Sequence, residues 1–264
     1  MSWETAQFLS GSPDRQRLLS HLRETPGSPR DVADALDVAH RSAQRHLSSL
    51  VDRDWAEKRD GVYHLTTVGE LVAEEHATYL DTLDSIDSLE PFYRHLPDSD
   101  HAPDPRLLAD ADVVVAAPDR PQAPVNHYIS ALAEFETDHI RMISPVLSRL
   151  FHQAHAELVV AGTTHDLVMS VQTARRAKEL NAQEFALVIG MDQLRLRCVD
   201  GPVGFGLTLG DRRCIVHAYD EDGQLHALVD STSKDLCAWA ETLFERYRTE
   251  SHPVENATDL DEFD

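Results

Sequence analysis

Twice near its start the chain writes the same three-part signal, a hydroxyl residue, a proline and an acid: Ser12-Pro13-Asp14, then Ser28-Pro29-Arg30-Asp31. The hydroxyl suits an N-cap, and proline suits the first helical position, where its missing N–H has no partner to lose. The acid faces the positive end of the helix dipole. Two helices therefore begin close together, and neither has room to be long. The first runs to about Leu22, with Leu18, Leu19 and Leu22 on one face, and Glu24-Thr25-Pro26-Gly27 breaks it. The second is confined to Pro29–Leu36 and buries Val32, Ala33 and Leu36; Asp31 completes a variant capping box with Ser28. A tight turn, Asp37-Val38-Ala39, leads to a third helix over residues 40–53, where Ala43, Leu47, Leu50 and Val51 recur at helical spacing.

Opposite that apolar stripe lie His40, Arg41, Ser42, Gln44, Arg45 and Ser48. Arginine and glutamine are the side chains able to make bidentate contacts to guanine and adenine edges in the major groove. A short helix, a three-residue turn and a helix with donors on its outer face form a helix-turn-helix. Residues 55–65 then read as strand, Asp-Gly turn and strand, a hairpin wing with Lys58, Arg59 and Tyr63 as further DNA contacts. Thr67-Val68-Gly69-Glu70 reads as the capping box of the next helix. That helix continues without a breaker to Pro91, carrying Leu71, Val72, Tyr79, Leu80, Leu83, Ile86 and Leu89 at partly heptad spacing. Its stripe needs a cover, and the same helix of a second copy is the expected one, giving a homodimer on a pseudo-palindromic double-stranded DNA site.

Charge is distributed in the same sense. The chain has 46 acidic and 24 basic residues, a net charge of −22, and only Lys58, Lys178 and Lys234 are lysine. An acidic, lysine-poor surface holds water against concentrated salt, so a halophilic setting is expected. Residues 12–70 are nevertheless close to neutral, and almost the whole negative excess falls elsewhere. The segment expected to meet phosphate has been spared the acidification. Cys198, Cys214 and Cys237 are odd in number and show no CxxC spacing, which argues against a disulfide framework or zinc knuckle and for a reducing cytoplasm. The sequence shows no secretory leader and no run long and apolar enough for a membrane.

Beyond a proline- and aspartate-rich hinge to about residue 106, elements alternate. Strands are expected at 112–117, 139–143, 158–161 and 185–189, and helices at 125–135, 145–155 and 165–180. A meander follows at 193–199, 203–209, 212–219 and 224–230, and a closing helix at 231–248. The fold class is therefore mixed: an N-terminal winged helix-turn-helix over 1–70, a connecting helix and hinge over 71–106, an α/β domain with a mixed sheet over 107–250, and an acidic disordered tail over 251–264.

The stretch from Leu36 to Gly69, which contains DVAHRSAQRHLSSLVDRDWAEKRDGVYHLTTV, resembles archaeal winged-helix regulators of the broad MarR/ArsR-like kind. It departs from them in having Ala39 for the usual serine cap and Asp54 for a common glycine. Residues 89–250 resemble the effector domain of archaeal regulators typified by the methanogen filament-formation regulator. The phrases that carry this are Glu90-Pro91-Phe92, Ile143-Ser144-Pro145-Val146, Gly204-Phe205-Gly206-Leu207 and Trp239-Ala240-Glu241. That resemblance implies a sensing and dimerising domain, with a phospholipase-D-like but non-catalytic fold.

Chemistry of that kind needs HxKxxxxD, and His217-Ala218-Tyr219 has tyrosine where the lysine belongs. No GxGxxG, GxSxG or P-loop is present, so no catalytic residue and no cofactor is assigned. His152 and His155 share a helical face, but without further ligands they make no metal site. For a small-molecule effector, the loops at the ends of the early strands offer Arg141, Ser144, Gly162, Thr163 and Thr164. Two other readings stand beside that of a regulator: a winged helix used only for protein contacts, and an enzyme acting on a small acidic or phosphorylated substrate.

Overall fold

The computed structural model describes residues 2–261 and Phe263, which fall into two compact units, 1–84 and 85–264. In the first, α1 (Ser2–Ser10), α2 (Pro13–Glu24), α3 (Pro29–Leu36) and α4 (His40–Val51) precede a hairpin of β1 (Ala56–Arg59) and β2 (Val62–Leu65), and α5 (Thr67–Ser88) follows. The apolar positions of the three central helices converge as their spacing requires: Leu18, Leu19, Leu22, Val32, Ala33, Ala43, Leu47 and Leu50 are all buried together. Ser28 caps α3, its side chain accepting from the Asp31 N–H while the Asp31 carboxylate accepts from the Ser28 N–H. Asp60 (φ 51°) and Gly61 (φ 89°) make the hairpin turn with both central residues left-handed, as a two-residue hairpin demands.

Two details differ from expectation. Helix α1 has no cap signal, and it enters through packing: Leu9 joins the core, and Phe8 sits edge-on to Trp55 at 5.6 Å. The cap of α5 is Thr66 and not Thr67. Its hydroxyl donates to the Asp54 carbonyl (2.6 Å) and accepts from the Gly69 N–H (3.1 Å). This clasp brings α5 against the entry to the wing so closely that a Cβ on Gly69 would lie 1.9 Å from the Trp55 carbonyl oxygen. Asp54, at φ 59°, occupies a left-handed position, which is why glycine suits it elsewhere.

The second unit is a three-layer α/β/α arrangement. After α6 (Glu90–Tyr93) come β3 (Asp112–Val115), α7 (Ala123–Ala133), β4 (His139–Ile143), α8 (Arg149–Val160), β5 (Thr164–Ser170), α9 (Val171–Leu180) and α10 (Ala182–Ile189). Then follow β6 (Leu194–Val199), β7 (Phe205–Leu209), β8 (Cys214–Tyr219), β9 (Leu225–Ser231), α11 (Lys234–Glu250) and β10 (His252–Val254). The sheet runs β10-β6-β5-β4-β7-β8-β9-β3, with β6, β5 and β4 parallel and the other pairings antiparallel. One face packs Ile143, Val168, Phe205, Leu207 and Val216 against α11 and Phe92. The other lies under α7 and α8 at one end and under α9 and α10 at the other. The mixed sheet agrees with the expected fold class.

Three expected elements are corrected. Residues 158–161 end helix α8, and 185–189 lie in helix α10; both are short apolar runs whose period cannot separate strand from helix. Residues 164–170 form a central strand instead of opening a helix, because polar His165 and Asp166 point to opposite faces and each finds partners there. The expected disordered tail is also docked over its described residues. Strand β10 pairs with β6, Val254 and Leu260 are buried, and α9 holds the segment from above. Arg175 donates to the Leu260 carbonyl (3.0 Å) and Lys178 to the Asp261 carboxylate (2.8 Å). Composition alone hid this, since an acidic segment is ordered when a strand edge and paired cations await it. At Glu262 and Asp264 the tail expectation lies outside the described residues.

Replacing Gly69 with alanine forces α5 away from the Trp55 carbonyl and should lower the stability of the N-terminal unit by about 2–3 kcal/mol. Thermal or urea unfolding followed by Trp55 fluorescence in a Trp3→Phe/Trp239→Phe background measures this. A variant that melts with the wild type would show that the close approach is absent in solution.

Candidate functional site

The helix-turn-helix places its expected face outward. On α4, His40, Arg41, Gln44, Arg45 and Ser48 are exposed and Ser42 is half-buried, while Ala43, His46, Leu47 and Leu50 face the core. Ala39 occupies the N-cap without a side-chain bond, so the first turn of α4 keeps free N–H groups. On the wing, Lys58 and Arg59 are exposed; the Lys58 ammonium stands 5.4 Å from the Tyr63 ring, and Arg59 pairs with Glu57.

Tyr63 itself must be withdrawn from the face. It is only 5% exposed, because its backbone pairs with Gly27 of the α2–α3 loop (2.9 and 3.2 Å) and turns the ring into the core. A cationic cluster beside Arg45 went unread. The Arg15 and Arg53 guanidiniums stack on Phe8 at 3.7 and 3.9 Å, and Arg15 also donates to the Phe8 carbonyl. Burial, then Arg53 and Arg45, push the Arg15 pKa down, a sign of concentrated positive charge. The arginines were visible in the sequence; the helix that gathers them was not.

In the second unit the five residues named for an effector are not brought together. Ser144 follows the C-terminal end of β4 and donates to the Val146 carbonyl (2.9 Å). Gly162, Thr163 and Thr164 lie at the N-terminal start of β5, and since β4 and β5 are parallel, that is the opposite end of the sheet. Their grouping depends on 158–161 being a strand that leads into them, and those residues end α8. Arg141 remains. It is 17% exposed, pairs with Glu241 of α11, and leaves its buried Nε–H without a partner. It lies in an open cleft of about 590 Å³, walled by residues 134–137, the 210–213 turn and the first turns of α11.

One wall of this cleft is fixed by a buried carboxylate. Asp230 of β9 accepts from Arg213 through both oxygens (2.7 and 2.6 Å) and pairs with His127 of α7 (2.8 Å). Burial works to raise its pKa, but the Arg213 and His127 bonds hold it below the ordinary carboxylate range. Arg213 also reaches Glu134, at the end of α7, at 3.0 Å.

On the α7–α8 face of the sheet also runs a buried polar chain that the sequence did not announce. His165 Nδ1 faces the Thr163 carbonyl (3.3 Å), which only accepts, so that nitrogen carries the proton and Nε2 accepts. His155 Nδ1–H therefore donates to His165 Nε2 (3.0 Å). The Tyr128 hydroxyl donates to His155 Nε2 (2.7 Å), and the Thr208 hydroxyl donates to Tyr128 (2.8 Å). Every member is neutral. His217 lies edge-on to Tyr128 at 4.5 Å with its Nε2 buried and unpaired, and cross-strand Gly206 leaves room for its ring, so the Gly-Phe-Gly phrase serves packing. His152 is exposed and does not join His155, and among the described residues no three metal-ligating side chains converge. Among the described residues no helix is long and apolar enough to cross a membrane.

Residues 121–250 match the family model of the methanogenesis regulatory protein FilR1, middle domain, and residues 3–88 that of the HVO_A0261 N-terminal domain. No curated protein shows significant similarity to the chain. Among solved structures, TrmBL2, described as an archaeal chromatin protein with a novel mode of DNA binding, aligns at 14% identity and a TM-score of 0.43. The alignment covers 88% of this chain and 89% of that one. Nuc, a phospholipase D family member from Salmonella typhimurium, aligns at 14% identity and a TM-score of 0.45, over 56% of this chain and all of its own.

Burial drives the pKa values of His155 and His217 down to about 3. Below the ordinary value near 6.5 the unfolded chain takes up protons that the folded one refuses. Stability is therefore full above that value and falls as pH drops toward 3. In a His217→Phe variant, which keeps an aromatic ring beside Tyr128, the loss between pH 6 and pH 4 should be shallower by about 1 kcal/mol per pH unit. Urea titrations across that range test this; an unchanged slope would mean that His217 is not buried as a neutral ring.

Proposed function

From the premise that the chain belongs to the regulators carrying a FilR1 middle domain behind an HVO_A0261 N-terminal domain, we propose that it is a sequence-specific DNA-binding transcription regulator. The observation that carries this is the exposed outer face of α4, where His40, Arg41, Gln44, Arg45 and Ser48 stand together within the near-neutral segment 12–70. The free first turn of α4 suits a phosphate, Arg41, Gln44 and Arg45 suit base edges, and Lys58 and Arg59 of the wing suit the backbone. The acidic, lysine-poor composition fits a salt-rich cell, where a Debye length of about 3 Å leaves contact-range charge pairs as the ones that count.

The regulator acts as a homodimer through α5. Val68, Leu71, Tyr79, Leu83 and Ile86 are exposed and fall on one side of this 22-residue helix. The stripe is about 27 Å long, enough for a paired-helix seam. A second copy of the same helix is the occupant that also supplies the second reading helix a palindromic site requires. The second unit takes a small anionic effector in the Arg141 cleft, where the unpaired Arg141 Nε–H offers a buried donor.

Duplexes selected from a random pool at a stated salt concentration provide the test. Arg41→Ala/Arg45→Ala should weaken the selected site by at least about 30-fold and leave nonspecific binding far less changed. Tyr79→Glu/Leu83→Glu should sediment as a monomer and lose preference for the palindrome. A wild type that selects no sequence would favour the protein-contact reading of the winged helix, and selection that survives the arginine substitutions would move the reading face elsewhere. For the cleft, a panel of small carboxylates and phosphates should include one that raises the melting temperature of the wild type and fails to do so in Arg141→Gln. Equal responses from both proteins would remove Arg141 from the effector site.

A further inference from the structure

The Arg141 cleft is also lined by a cysteine, Cys237, whose neighbour in the buried core is a second, Cys214. Cys214 opens β8 and pairs across the ladder with Ser231, the last residue of β9. From Ser231 the chain turns through Thr232 and Ser233 straight into α11, and the first turn of that helix carries Cys237 back over the strand. Cys214 lies in the buried apolar cluster and Cys237 packs against that cluster, which brings the two thiols together; their interaction raises the pKa of Cys214 and lowers that of Cys237. They differ in access: Cys214 is fully buried, whereas Cys237 is half-buried and lines the cleft beside Arg141 and Glu241.

We infer that Cys237 and Cys214 form a peroxide-responsive thiol pair, in which Cys237 is oxidised through the cleft and Cys214 resolves it to a disulfide. Four features of the structure converge on Cys237 as the attacking sulfur. It lies in the first turn of a 17-residue helix whose N-cap, Ser233, makes no side-chain capping bond, so the positive end of the helix is open to a thiolate. The Cys214 thiol steadies the same charge, the Arg141 guanidinium adds to it, and the cleft gives a small oxidant access. The Cys214 contact and Arg141 lower the Cys237 pKa against the opposing effects of burial and of Glu241, which is itself engaged by Arg141. Cys214 is raised by the same contact and by burial, as suits a resolving thiol that stays protonated until called upon.

The reaction balances with a hydroperoxide as the named oxidant. The Cys237 thiol releases its proton to water and the thiolate attacks the hydroxyl oxygen; the S–O bond forms as the O–O bond breaks, the sulfur gives up two electrons, and the departing hydroxide or alkoxide takes up a proton equivalent to the one released. The Cys214 sulfur then attacks the sulfenic sulfur, the S–S bond forms, and the oxygen leaves as water with the proton of the Cys214 thiol. This inference depends on neither DNA binding nor an effector. Its result is a covalent tie between the first turn of α11, which lines the cleft, and the buried start of β8.

The third thiol is an internal control. Cys198 of β6 is fully buried away from the cleft, and burial pushes its pKa up to about 12. The reduced full-length protein is treated with hydrogen peroxide at neutral pH, quenched, denatured, alkylated and mapped by mass spectrometry. The expected product has lost two hydrogens, joins the Cys214 and Cys237 peptides, and leaves Cys198 alkylated, with Cys237 reacting at least about tenfold faster than Cys198. In Cys214→Ser, Cys237 should instead be trapped as a sulfenic acid by dimedone; in Cys237→Ser neither product should form. Equal reactivity of Cys237 and Cys198 in the wild type would overturn the inference. So would oxidation of Cys237 with Cys214 left free. Because the wild-type map decides both points, poor folding of a variant does not rescue the idea.

Discussion

A carboxylate held inside a sheet must be answered by cations, and the architecture of the second unit around Asp230 follows from that requirement. Its oxygens are taken by the Arg213 guanidinium and the His127 ring, which fixes the 210–213 turn against the end of β9 and ties α7 to both. Removing one partner from such an arrangement typically costs about 3–5 kcal/mol, because the remaining charge stays buried alone. Arg213 also reaches Glu134, and the turn it anchors forms one wall of the cleft. Arg141, Cys237 and Glu241 face that wall, so the position of every group in the cleft is referred to this one ion pair.

The two units place their cations differently. In the second, acids are spread over the surface, and the cations present are mostly spent on them: Arg141 on Glu241, Arg212 on Glu136, Lys178 on Asp261. In the first, Arg41 and Arg45 stand exposed on the outer face of α4, and Arg15 and Arg53 are stacked on an aromatic ring that leaves their charge available nearby. A guanidinium lying on Phe8 has its plane supported without a carboxylate to neutralise it. A protein this acidic keeps positive potential at one place by denying that place its counter-charges.

The helix-turn-helix was legible because local signals and tertiary structure agree there: cap, proline, tight turn and apolar period all point to the same elements, and Ser28 and Asp31 bond as their spacing implies. The sequence is silent where a residue's role depends on something distant along the chain. Tyr63 looks like a wing contact until Gly27 is seen pairing with its backbone. Phe185 to Ile189 is equally apolar as strand or helix, and only its packing beside Met169 and Leu196 decides. Arg141 was found as a cation near a strand end, but the cleft around it is made by α11, a hundred residues further on. Ser144 and Gly162 to Thr164 were grouped by an assumed strand, and the parallel pairing of β4 with β5 separates them.

The buried hydrogen-bond chain has a consequence for how β5 finds its place. Its direction runs from Thr208 through Tyr128, His155 and His165 to the Thr163 carbonyl. Next to His165, on the other face, Asp166 meets His139 and Arg195. A slip of one residue would exchange them, sending a carboxylate under α8, where the chain offers it no cation, and a ring into the site of the ion pair. An apolar run such as Val113 to Val115 of β3 resists a shift only through shape. In β5 two adjacent polar side chains act as a two-sided key, and the strand fits its parallel neighbours in one alignment.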